Sequence, residues 1–308
     1  MKDLLVVGHL CIDFVVVGEG PPRRALGGPP AYTSLAAVSF GALVAVSSVV
    51  GSDFPREYVD GLSSAGVDLR WLDFSGSRST SYLLSYAGGE RRLRLLARAP
   101  PITVKHLPEE AFRSVHVSPI VGEISLDVVK HLRERAGVLS LDPQGFVRGF
   151  NEEGDVYGVG WRSEQFLELV DVFKASPEEL RLAVGERRFS RCLERLHDAG
   201  VSTILITLGA RGSLLSSPEG VYLVPACKPR RVLDETGAGD AYMGGFLAHY
   251  VRGSDPLWCA CMGSASASLV VESYGPAVVD GGEAARRAED ALRRARRLSL
   301  RDVDALGF

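Results

Sequence analysis

Hydrophobic positions along the chain fall into short runs that end at glycine and alternate with amphipathic stretches. Residues 3–8 (DLLVVG) form an apolar run closed by Gly8, the pattern of a buried parallel strand. Gly27, Gly28, Pro29 and Pro30 then lead into AYTSLAAVSF, and proline suits the first turn of a helix. Residues 42–51 predict a second buried strand, and 54–66 a weaker helix closed by Gly66. Residues 114–119 and 137–143 predict further strands, separated by a helix over 125–137; an irregular stretch then runs to Trp161. The run at 170–176 precedes two helices, 177–185 and 186–200, and 201–209 (VSTILITLG) is a strong β-branched strand. Two short antiparallel strands follow, then small-residue helices over 236–253 and 255–275, and a last basic amphipathic helix over 282–299.

Strand–helix alternation of this kind predicts an α/β fold, a doubly wound, mainly parallel sheet with helices on both faces. Residues 71–98 break the rhythm as a hairpin, within which 80–97 (TSYLLSYAGGERRLRLLA) reads as two strands around Ala87, Gly88, Gly89 and Glu90. The expected organisation is one domain over 1–308 with a small inserted β lid, built from 11–26 and 76–100. Pairing of such lids would make a homodimer.

Composition narrows the function classes. The chain has 308 residues, 46% hydrophobic and 24% charged, which excludes wholesale disorder. A net charge of −3 argues against a nucleic-acid coat, and no apolar run reaches the ~18 residues of a membrane span. Five cysteines make neither a disulfide framework nor a metal-spaced set, and a cytoplasmic protein is expected. The basic residues are 30 Arg and 5 Lys, with one Asn and two Gln. Few thermolabile amides suit a heat-adapted source; the arginine bias fits GC-rich coding instead.

The sharpest chemistry lies at Asp234-Glu235-Thr236-Gly237-Ala238-Gly239-Asp240-Ala241. Small residues let backbone amides converge just where a helix begins, and a helix start with free N–H groups stabilises an anion. Asp240, in the first turn, is placed to serve as general base for a hydroxyl attacking a phosphoryl group. A lone GxG would read as a capped turn; the full string is far more specific. No G-x-x-x-x-G-K-[ST] string exists, and no G-x-G-x-x-G follows the first strand, which leaves out a P-loop enzyme and a dinucleotide-binding one.

Asp234 to Asp240 resembles the C-terminal signature of the PfkB, or ribokinase-like, carbohydrate kinases. Asp13 after the first strand, Gly27-Gly28 with the helix behind them, 206–215 (ITLGARGSLL) and Ser176-Pro177-Glu178-Glu179 match the family in order along nearly the whole chain. The resemblance implies phosphoryl transfer from ATP with Mg2+. Asp240 would be the base, and the amides of Gly237, Ala238 and Gly239 would hold developing charge. Glu179 would act on the metal. Thr207, Gly209, Gly212 and Ser176 would bind the nucleotide, and Asp13, Gly27 and Gly28 the substrate. The family's Asn positions are Tyr32 and Ser176 here, and Glu235 stands where Thr often follows the first Asp.

Residues 8–13, 78–81, 115–119, 139–148 (LSLDPQGFVR) and 273–280 are similar to myo-inositol kinases of thermophiles, which makes Gln144 and Arg148 candidate substrate residues. The expected substrate is a sugar or cyclitol, with myo-inositol favoured. A nucleoside is the alternative, and Tyr32, Tyr82 or Phe146 would then supply a slot for its base. A catalytically silent sugar- or nucleotide-binding sensor is the reading from another class; the presence of Asp240, Glu179 and the glycines favours the enzyme. His9 and His116, in apolar strands, read as core histidines. Arg91, Arg92, Arg94 and Arg98 on the lid read as a mostly solvated face from which one guanidinium reaches a phosphate as the sharper alternative. The C-terminal arginines, interspersed with Glu283, Glu289 and Asp290, read as a solvated helix face.

Overall fold

A computed structural model describes residues 2–17, 20–87 and 90–306. A ten-stranded sheet crosses the molecule in the order Arg296–Leu298, Gly220–Val224, Ser213–Ser217, Thr203–Thr207, Val172–Ala175, Ala136–Leu141, Phe112–Val117, Lys2–Val7, Val44–Gly51, Asp68–Gly76. The seven strands from Thr203–Thr207 to Asp68–Gly76 pair in parallel, and the other three are added antiparallel. Parallel strands need crossover helices on the faces, so both faces are covered and both bury apolar side chains. One core holds Leu5, Val7, Val115, Leu141, Phe173 and Ile206; the opposite one holds Leu4, Val6, Val46, Leu205, Phe246 and Met262. The doubly wound α/β expectation holds.

A second sheet of four strands has the order Arg23–Gly27, Cys11–Val17, Thr80–Ala87, Glu90–Ala97. Its inner residues Cys11, Tyr82 and Leu84 pack on Ile120 and Val121. This sheet occupies the segments expected for the lid, with one correction. Residues 71–76 belong to the strand Asp68–Gly76 at the edge of the main sheet, parallel to Val44–Gly51, so the second sheet begins at Thr80. Half-burial along that edge strand gives it the same mixed pattern as a surface hairpin. The turn at Gly88 and Gly89 lies outside the described residues. The last helix is also shorter than its pattern: it spans Gly281–Arg294, and Arg296–Leu298 pairs with Gly220–Val224 as the opposite edge strand. Arg286, Arg293 and Arg294 do face solvent, in pairs such as Arg286–Glu283 and Arg294–Asp290, but Arg287 is an exception: its side chain is 9% exposed and pairs with Glu272 and Glu283.

The carboxyl ends of two adjacent parallel strands are tied by one buried carboxyl group. Glu123 is 3% exposed and accepts from the N–H groups of His9 (2.9 Å), Ile120 (3.0 Å) and Val121 (2.9 Å), tying the loop after Phe112–Val117 to the end of Lys2–Val7. His9 is a satisfied core histidine, with Thr80 Oγ1 at 2.8 Å and the Pro100 carbonyl at 3.0 Å. Glu123→Ala strands three buried amides and should lower unfolding free energy by about 3 kcal/mol. Denaturant titration checks this, and a loss well under 1 kcal/mol would show that water takes over the amides.

Candidate active site

The catalytic-helix candidate, Ala238–Tyr250, starts at Gly237, which has φ 74° and no side-chain cap. Only glycine fits there: besides the left-handed backbone, a Cβ would lie 2.2 Å from a ring carbon of Tyr32. Tyr32 is 3% exposed and packs with Ala36, Ala241, Val270 and Val279, so it props the helix start from behind. Thr33 Oγ1 donates to the Asp240 carbonyl at 3.0 Å, and Thr236 N–H donates to Asp234 Oδ1 at 2.9 Å, shaping the turn. Ala238 N–H turns back on the Glu235 carbonyl at 3.3 Å, a long bond, so Gly239 has the less committed amide of the two.

Asp240 sits in the first turn beside two residues that sequence reading missed, Lys174 and Asp142. Lys174 is the penultimate residue of the strand Val172–Ala175; Asp142 follows the adjacent parallel strand Ala136–Leu141. Lys174 Nζ meets Asp142 Oδ2 at 2.5 Å, with the Lys174 side chain 7% exposed and that of Asp142 fully buried. A Cβ on Gly239 would stand 2.8 Å from Lys174 Nζ, so the glycine admits the ammonium to the helix start. Burial raises the pKa of the Asp240 carboxyl; Lys174 opposes the rise, Asp142 adds to it, Arg148 opposes it and Glu179 adds to it, and the result is about 7. Burial alone would lower the pKa of Lys174, but Asp142, Glu179 and Asp240 outweigh it and hold the group charged. His116 lies under this cluster with Nδ1 on Ser140 Oγ at 3.0 Å; burial and then Lys174 lower its pKa to about 3, so it stays a neutral core histidine.

The residues expected to bind substrate lie near one another. Asp13 is 7% exposed, and its carboxylate lies against the Cα of Gly27, where a Cβ would be 2.1 Å from Oδ2. Gly28, at φ 89°, caps the helix Pro29–Val38 and passes close to the His9 carbonyl. Gln144 N–H donates to Asp142 Oδ1 at 3.1 Å, and Arg148 Nη2 donates to Gln144 Oε1 at 2.5 Å. Arg148 is near enough to act on Asp240, Tyr82 and Cys11. The aromatic residues considered for a base slot are committed elsewhere. Tyr82 is 1% exposed and donates to the Ile120 carbonyl; Phe146 stacks on Trp161 at 4.5 Å. Arg94 and Arg98 of the second sheet turn to Glu153 and the Phe150 ring.

On the other side of the helix start opens a cavity of about 570 Å3. Its lining includes Thr207, Gly209, Gly212, Ala238 and Gly239, the apolar side chains of Ala226, Pro229, Val232, Ala267 and Val271, and Lys228. Ser176 does not line it. Ser176 instead caps the helix Pro177–Val184 in a box with Glu179: Glu179 Oε2 accepts from Ser176 N–H at 2.7 Å. Asp240 therefore stands near Arg148 on one hand and, on the other, directly after Ala238 and Gly239, which line the cavity.

A family model described as pfkB family carbohydrate kinase matches residues 1–280. The chain belongs to this family. It is a kinase, a phosphotransferase that acts on a hydroxyl acceptor, within a family of carbohydrate and nucleoside kinases. The cytidine kinase of Thermococcus kodakarensis is 27% identical over 285 residues, 89% of this chain and 98% of that enzyme. The inositol 3-kinase of Oryza sativa subsp. japonica is 26% identical over 293 residues, 90% of this chain and 70% of that enzyme. A solved pyrophosphate-dependent kinase in the ribokinase family, complexed with a pyrophosphate analog and myo-inositol, superposes with a TM-score of 0.77 at 25% identity, covering 89% of this chain and 96% of that one. Among the described residues no helix is long and apolar enough to cross a membrane.

The raised pKa of Asp240 gives the pfkB kinase two coupled signatures. In the role of base proposed below Asp240 must be ionised, so kcat should rise with pH on an acid limb centred near 7. The folded state also holds a proton that the unfolded chain releases near pH 4, so stability should fall as pH rises from about 4 through 7. Asp240→Asn should cut kcat by about 10³-fold or more. It should also melt above wild type at pH 8, the gap closing at pH 4. A variant that is inactive yet less stable at every pH would contradict a protonatable Asp240.

Proposed function

We propose that the protein is an ATP-dependent kinase of a small polyhydroxylated acceptor, with myo-inositol the favoured substrate. The observation that carries the reading is Asp240 at an uncapped helix start between a polar acceptor cleft and an apolar donor cavity. In-line transfer needs positioning, charge neutralisation and a base, and these parts supply each. Asp240 takes the proton of the attacking hydroxyl. The helix start faces the transferred group, where its dipole favours negative charge.

The donor reading rests on the apolar side chains of Ala226, Pro229, Val232, Ala267 and Val271, which suit a nucleobase and have no use in holding pyrophosphate alone. A divalent cation such as Mg2+ fits Glu179. Among the described residues no cluster of three or more His, Cys, Asp or Glu side chains could hold a metal, whereas a cation bound chiefly to phosphates and water needs only one or two carboxylates. When bound it would neutralise phosphate charge; Glu179, fixed by its capping box, would hold it through its carboxylate.

The acceptor reading rests on the Gln144–Arg148 pair beside Asp240, with Asp13 completing a polar surround. A cyclitol offers hydroxyls on every side to such groups, while a nucleoside needs an aromatic or apolar slot, and Tyr32, Tyr82 and Phe146 are held in packing. The four-stranded sheet that carries Asp13 would close over the acceptor and exclude water. A panel of myo-inositol, ribose, fructose, cytidine and inosine against ATP, GTP and pyrophosphate tests both choices. The highest kcat/KM is expected for myo-inositol with ATP. Phosphorylation of cytidine or inosine with none of inositol would replace the acceptor, and pyrophosphate without ATP turnover would replace the donor.

A further inference from the structure

The Lys174 ammonium has a role in the reaction that no motif announces. Among the described residues it is the only lysine or arginine in the fully buried class, in a chain whose basic residues are otherwise mostly surface arginines. It stands at the carboxyl end of its strand, the edge of a doubly wound sheet where ligands bind. Its Nζ lies against Gly239 at the start of Ala238–Tyr250. An ammonium there opposes the positive end of the helix dipole, an arrangement that an incoming anion would relieve. Asp142, 2.5 Å away, neutralises the charge while no anion is present. Neither feature is needed to hold the sheet, because Val172–Ala175 is already paired on both sides.

We propose that Lys174 is a catalytic residue whose ammonium binds a non-bridging oxygen of the phosphoryl group in transit, with Asp142 as the positioning residue that aims it. The proposal rests on the kinase reading above. The acceptor oxygen bonds to the γ-phosphorus as its proton passes to Asp240. The bond from that phosphorus to the β–γ bridging oxygen breaks, and its electron pair stays on the nucleoside diphosphate. Lys174 keeps all its protons throughout and supplies charge and hydrogen bonding alone. Lysine suits this task as a compact point charge with freely turning donors.

A buried pair can also be purely structural, and the experiment separates the two roles. Lys174→Met alone leaves Asp142 buried without its cation and can unfold the protein. The double variant Lys174→Met/Asp142→Asn removes both charges, and Asn keeps the acceptor for Gln144 N–H. The double variant should fold with a melting temperature near wild type. Its kcat should be lower by about 10²-fold or more, with the KM of the acceptor within about threefold. Lys174→Ala/Asp142→Asn should regain part of its rate on addition of ethylammonium and none with tetramethylammonium, a readout that a structural pair would not give. A double variant within about fivefold of wild-type kcat overturns the role of Lys174 while the kinase reading stands. Wild-type protein that phosphorylates no hydroxyl acceptor in the panel overturns the kinase reading and this proposal with it.

Discussion

One buried ammonium organises the site. Lys174 is surrounded by Asp142, Asp240 and Glu179, three carboxyl groups delivered by three different parts of the chain. Removing a charge from water is costly, and an isolated ammonium at this depth would deprotonate. The short contact to Asp142 and the field of the other two carboxyl groups keep it charged. The same cation opposes the rise of the Asp240 pKa that burial drives, which leaves that carboxyl at about 7. A base near neutral pH can both accept a proton and exist ionised.

Much of the surrounding sequence answers to space rather than to chemistry. Gly239 has no Cβ because Lys174 Nζ passes there; Gly237 has none because the Tyr32 ring does; Gly27 has none because the Asp13 carboxylate does. Each glycine lets a functional group approach backbone, and each belongs to a different contact. The cavity and the Lys174–Asp142 pair meet at this helix start because the parallel strands all end on one edge of the sheet.

What the sequence made legible was contiguous. The string from Asp234 to Asp240 is contiguous, so its residue types and spacing predict the glycine-rich helix start with Asp240 in the first turn, as the structure has it. The alternation of strands and helices gave the sheet, and the stretch 139–148 placed Gln144 and Arg148 where the structure brings them together. Lys174 and Asp142 were illegible as a pair: the chain between them runs through a short antiparallel pair, Arg148–Phe150 with Val156–Gly158, and a short helix, and only the register of Phe173 against Leu141 brings them together. The available signal was a lysine inside an apolar strand of an arginine-dominated chain. Edge strands were misread for a related reason. Asp68–Gly76 and Arg296–Leu298 have one partner each, so their half-exposed patterns resemble a hairpin and a continuing helix. Tyr32 looks like a cleft aromatic from its motif position, yet its ring is spent supporting Gly237.

The central claim is that charge around Lys174 sets the base. Its most direct test is the pH dependence of kcat in Asp142→Asn. Removing the Asp142 charge takes away a term that raises the Asp240 pKa and frees the ammonium to favour the ionised carboxylate, so both effects have the same sign. The acid limb of the single variant should therefore move clearly below that of wild type. An acid limb that stays in place or moves upward would contradict the account.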